Sequence, residues 1–114
     1  MPDVVSFAAT VLPWLLAFAF AGAGVANLLG IGSIRADFAR WGYPPGTHRV
    51  VGLIEIVGAG LLLHPAMRLP GIAVLGAVML GALATLVRHH EGWKHLAPAI
   101  GLAGLLTVAG ALVA

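Results

Sequence analysis

Apolar residues fall into four continuous runs, and the three breaks between them hold nearly all the ionisable groups. The first run extends from Val4 to Ile34 without a charge, longer than the roughly 20 residues that cross a bilayer. The second, about Arg49 to Leu63, stops before His64-Pro65 and carries one internal charge, Glu55. The third is Leu69 to Val87, with Pro70 suited to a helix's first turn, and the fourth is Leu96 to Ala114, with Pro98 near its start. None of them alternates polar and apolar residues as a membrane barrel strand does. The pattern predicts an all-α protein: a membrane four-helix antiparallel bundle, with helices at about 4–31, 49–63, 69–88 and 96–113 of a single transmembrane domain, 1–114. The second helix is short and is expected to borrow length from Thr47-His48 or from snorkelling arginines. A tilt or kink is expected at Pro13 of the first. The amphipathic stretch Ser33 to Pro45 predicts a short interfacial helix followed by a Gly-Tyr-Pro turn.

Small residues recur at helix-face spacing: Gly22, Ala26 and Gly30; Gly52 and Ala59; Ala77, Gly81 and Thr85; Ala97 and Gly101. Such faces let membrane helices pack closely, and they are read as seams within one bundle or against a second copy. Basic residues set the expected topology. The first break and its boundary hold Arg35, Arg40 and Arg49, and the third holds Arg88 and Lys94, whereas the second holds only Arg68. The excess puts the first and third loops in the cytoplasm, with both termini outside, in a bacterial-type cytoplasmic membrane.

Composition agrees with the pattern. The chain is 61% hydrophobic and 9% charged, with a mean hydropathy of +1.04, far from the roughly 25% charged residues of soluble domains. A net charge of +2 without a basic run argues against a nucleic-acid partner. The chain has no cysteine, which excludes disulfides, thiol catalysis and Cys-ligated zinc or iron–sulfur centres. Ala19-Phe20-Ala21 mimics a signal-peptidase site, but Met1-Pro2-Asp3 is no basic n-region, so a retained helix is expected.

Glu55 carries the most information about chemistry. It lies about two turns inside the second helix, where a carboxyl group needs a partner, water or a proton. Asn27, about one turn from the end of the first helix, and Thr85, about one turn from the end of the third, are expected at the same depth. Arg49, Arg88 and His89 would form a basic rim just beyond. An amide, a carboxyl and a hydroxyl beneath such a rim predict a small-molecule pocket, although each could instead tie helices together. Trp41, Tyr43 and Trp93 read as interfacial belt residues, or Trp41 and Tyr43 as part of a lid. The run His89-His90-Glu91-Gly92-Trp93-Lys94-His95 concentrates imidazoles, with His48 on the same side, but its spacing is not that of a helical zinc site and no metal is expected. His89 or His90 near Glu55 could still act in proton transfer.

The segment Gly22 to Gly60 resembles the DoxX-like family of small four-helix membrane proteins. The resemblance is carried by Gly24-Val25-Ala26-Asn27-Leu28, then Phe38 with Trp41-Gly42-Tyr43-Pro44, then Val51-Gly52-Leu53-Ile54-Glu55-Ile56-Val57-Gly58-Ala59. Many relatives carry lysine where this chain has Asn27, so Glu55 lacks that partner, and Arg49, Arg88 or a histidine is expected to substitute unless it is protonated. The resemblance implies a membrane partner of a redox enzyme, an assembly helper or a binder of a lipophilic, quinone-like molecule. The leading expectation is an accessory subunit of a membrane redox system, with the bilayer, a lipophilic small molecule, and a redox enzyme or second copy as partners. Two alternatives stand beside it. One is a free-standing intramembrane enzyme using Glu55 as general acid or base, with Asn27 and Tyr43 orienting the substrate for isomerisation, cyclisation or ring opening. The other is a structural or assembly protein in which Glu55 pins helices.

Overall fold

The computed structural model describes residues 2–113 and is all-helical among them. Five α-helices follow in order: α1 (Pro2–Leu29), α2 (Ile34–Arg40), α3 (Thr47–Leu63), α4 (Arg68–Arg88) and α5 (Trp93–Val113), with a 3₁₀ turn at Pro65–Met67 before α4. The particle measures 46 × 24 × 20 Å. Three stretches are long and apolar enough to cross a membrane: Asp3–Leu29, Pro65–Arg88 and Trp93–Val113. The shorter α3 packs on α1 and α4, and α5 closes against both α4 and α1.

The outer surface is as apolar as the core. Phe20 is 0% exposed and Phe18 is 85% exposed, two residues apart on α1. Leu16, Phe20, Leu62, Leu75 and Leu106 fill the interior, while Phe7, Leu15, Val57 and Leu80 face outward. A soluble domain covers such positions with charge; lipid solvates them at no cost.

The closest helix approach is between α1 and α3. A methyl group on Gly24 would meet the Gly52 carbonyl oxygen at 2.8 Å, and one on Gly52 would meet the Gly24 carbonyl oxygen at 2.5 Å and the Leu28 nitrogen at 2.6 Å. Gly24 also faces Ile56, so the contacts run in opposite senses along the two helices. Backbones this close leave no room for a Cβ, and glycine at both positions allows van der Waals packing along the seam. The α3–α4 contact repeats the device, with Gly58 against Leu75 and Gly71 against Leu61.

This differs from the seams that residue spacing predicts. Gly22 and Gly101 have open space beside them, and Ala97 is exposed. A four-residue repeat marks a helix face without telling which face meets a neighbour. The fourth helix also begins earlier than expected, at Trp93, because the Gly92 carbonyl accepts from both His95 and Leu96 amides. Pro98 therefore stands inside α5, not in its first turn.

Candidate functional site

The Gly24–Gly52 contact decides where the polar groups meet. Asn27 and Glu55 each follow their glycine by three residues, close to one helical turn, and because the two helices run in opposite senses each is carried toward the other, between the two glycines. Asn27 Nδ2 donates to Glu55 Oε1 at 2.5 Å. Glu55 is 5% exposed. It has no other hydrogen-bond partner among the described residues, yet no fully enclosed side-chain oxygen there lacks one. Its second carboxyl oxygen therefore opens on free space.

That space is a cavity of about 360 Å³. Its polar lining comprises Asn27, Thr47, Glu55, Thr85 and His95, with Trp41 and Tyr43; Val51, Met79 and Leu86 are among its apolar walls. Ala77, Gly81 and Thr85, the small-residue row of α4, also line it. These positions thus leave volume open where a seam was expected.

The connection from α1 to α3 covers the cavity. The α2 helix ends in a Schellman motif: the Gly42 amide donates to Ala39 O and the Tyr43 amide to Phe38 O. Gly42 adopts φ +87, a left-handed conformation that glycine enters without Cβ strain. The reversal directs Tyr43 toward α4, where its hydroxyl lies 2.5 Å from Thr85 Oγ1. Thr85 spends its one hydroxyl proton on Gly81 O at 2.8 Å, so Tyr43 is the donor of the pair. Phe38 packs between Trp41 and Tyr43, with ring centroids 5.4 and 5.7 Å away.

A chain of polar contacts fastens this cover to the α4–α5 loop. Ser33 Oγ donates to Asp37 Oδ2 at 2.9 Å, and Arg40 Nη1 donates to Asp37 Oδ1 at 2.8 Å. Arg40 Nη2 and Trp41 Nε1 both donate to Glu91 Oε1, the latter at 2.8 Å. The Arg40 guanidinium, aided by the Trp41 indole, holds the Glu91 carboxyl below the usual carboxylate range. Glu91 is placed by a second Schellman motif, at the end of α4. The His90 amide donates to Val87 O and the Glu91 amide to Leu86 O, with His90 left-handed at φ 55.

Of the residues singled out from the sequence, Asn27, Glu55, Tyr43, Thr85 and Trp41 line one cavity. Arg49, Arg88 and His89 are exposed and stand outside its lining. Neither arginine substitutes for the absent lysine, since the Glu55 partner is the Asn27 amide. Sequence reasoning missed Glu91 as the anchor of the cover. It also missed His48, buried with Nδ1 donating to the Asn27 carbonyl at 2.6 Å. Both lie in loops or helix starts where spacing conveys little; an acid beside the histidine run was the only visible signal. No group of three His, Cys, Asp or Glu among the described residues is arranged to hold a metal ion.

The model of the DoxX-like family matches residues 11–112. The chain belongs to that family, and with its three long apolar helices it is a membrane protein. Comparison with curated proteins and with solved structures gave no match.

Proposed function

We propose that this DoxX-like membrane protein binds the polar head of a lipophilic small molecule in the cavity beside Glu55. One observation carries the reading: Glu55, with Tyr43, Thr85 and Trp41, lines about 360 Å³ of mostly apolar space, and its second carboxyl oxygen has no partner among the described residues. Small-molecule sites are built this way, with volumes of roughly 300–1,000 Å³ and a few placed polar groups. A second, apolar groove of about 270 Å³ between α4 and α5 shares Met79 with the cavity, which suits a ligand with a greasy body. A quinone-like head, bearing carbonyl or hydroxyl oxygens, matches the donors and acceptors available. Asn27 holds one Glu55 oxygen and leaves the other to accept a hydrogen bond or a proton from the ligand.

In this reading the four long helices form an antiparallel bundle in a bacterial-type cytoplasmic membrane. The covered end, with Arg35, Arg40, Arg49, Arg88 and Lys94, faces the cytoplasm, and the protein serves a membrane redox system as accessory subunit. The family resemblance supports that role by analogy. The Asn27–Glu55 bond also supports a second reading, a structural pin between α1 and α3.

Thermal unfolding of wild type and Glu55→Gln in detergent separates the two, with and without a short-chain benzoquinone as probe. The binding reading expects a small change in intrinsic stability and loss of the probe's stabilising effect. A large fall in stability in Glu55→Gln, with no probe effect on the wild type, supports the pin and contradicts binding.

A further inference from the structure

A second polar cavity, about 280 Å³, lies between α2 and the start of α3. Arg35, Arg49 and His48 line it, with Ala39, Pro44, Pro45 and Gly46. Phe38 and Tyr43 line both this cavity and that of Glu55, and so form the wall between them.

Charge accounting shows what the cavity lacks. The chain has four acidic side chains. Asp37 and Glu91 are both paired with Arg40, and Glu55 is held by Asn27 in the other cavity. Asp3 stands in the first turn of α1, about 39 Å along the helix from its far end at 1.5 Å per residue. Arg35 makes one long contact, 3.4 Å, to the Leu29 carbonyl, and Arg49 has no ion-pair partner among the described residues. Two guanidinium groups thus border one concavity with no side-chain carboxylate among the described residues paired to them. The start of α3 adds to the positive potential, for Gly46 provides no side-chain cap and lines the same space.

We propose that this cavity binds a phosphate group through Arg35 and Arg49, either the headgroup phosphate of an anionic lipid or free phosphate. Guanidinium groups match phosphate oxygens in paired, charge-assisted hydrogen bonds. The site lies where α1 ends and α3 begins, at the polar edge of the apolar helices, which is the level of lipid phosphates. Its volume of about 280 Å³ suits a phosphate with part of a glycerol. His48 forms the floor and is fixed by its bond to the Asn27 carbonyl.

The test is native mass spectrometry and thermal unfolding of the whole protein in a neutral detergent. It is titrated with phosphatidylglycerol, phosphatidylcholine or inorganic phosphate. The wild type is expected to retain one phosphatidylglycerol in preference to phosphatidylcholine. Arg35→Gln/Arg49→Gln is expected to bind it about tenfold more weakly for each arginine lost. Arg88→Gln, which removes an exposed charge from the same end, keeps the preference. Ala39→Phe fills the cavity with both arginines present and loses it, so the proposal stays testable if the double variant misfolds. Stabilisation by inorganic phosphate, without a lipid preference and lost in the same variants, also supports the site and makes free phosphate its ligand. Equal retention of the two lipids with no phosphate effect overturns the proposal. So does an equal loss in Arg88→Gln, which would reduce the effect to general surface charge.

Discussion

Asn27 and Glu55 form the polar contact on which the site is built, at 2.5 Å and with the carboxyl group 5% exposed. An amide can supply the hydrogen bond that a buried carboxyl group requires without adding a second charge. Asn27→Leu should leave Glu55 without that donor and cost about 1–3 kcal/mol of stability, measured by denaturant unfolding in detergent micelles. Glu55 stands out in the sequence, because an acid inside an apolar run needs a partner, water or a proton. Asn27, Thr85 and Tyr43 followed from depth along the helices and from the likeness around the Gly-Tyr-Pro turn. Arg49 and Arg88, expected at the rim of the cavity, are exposed and do not line it. Depth can be counted in residues; azimuth depends on which helix face packs.

Helices meet through glycine at two seams, and of the glycines in the expected rows only Gly52 takes part. Gly52→Ala should force α1 and α3 apart and destabilise by about 1–3 kcal/mol, as overpacking does. Gly22→Ala meets open space and should be neutral or stabilising by up to about 1 kcal/mol. Denaturant midpoints of the two variants provide the comparison. The cover over the cavity depends on α2 and its link to Glu91. Because Arg40 lowers the Glu91 carboxyl below its unfolded value, the link's contribution is complete above the ordinary carboxylate range. It is lost as the pH falls through the lowered folded value. Protection of the amides across residues 34–43 against hydrogen exchange, relative to the intrinsic rate at each pH, should therefore fall on acidification, and Glu91→Gln should show the low protection at neutral pH as well. Unchanged protection in that variant would mean the cover does not hang on this carboxyl group. The α2 helix was legible from its amphipathic pattern, but its latch pairs residues 50 and 51 positions apart, a relation no local spacing reveals.

Across the molecule, the four apolar runs of the sequence correspond to α1, α3, α4 and α5, with boundaries shifted by at most three residues, at the starts of α3 and α5 through capping at Gly46 and Gly92. Hydropathy makes such an architecture legible because lipid and core demand the same residue types. For the same reason it says little about which side of a helix faces inward. What the folded chain adds is a covered cavity at one end, polar on a few atoms and apolar elsewhere, with a basic concavity behind its aromatic wall. Ligand binding beside Glu55 is the central claim, and Trp41 in the cavity wall reports on it directly. Of the three tryptophans, Trp14 and Trp93 are exposed, so Trp14→Phe/Trp93→Phe leaves Trp41 as the sole fluorophore. Titration with a short-chain benzoquinone should quench this fluorescence saturably at one equivalent per chain, with affinity at least about tenfold weaker after Glu55→Gln, as loss of one charged hydrogen bond implies. Quenching that rises linearly without saturation, alike in both proteins, would contradict a binding site at Glu55.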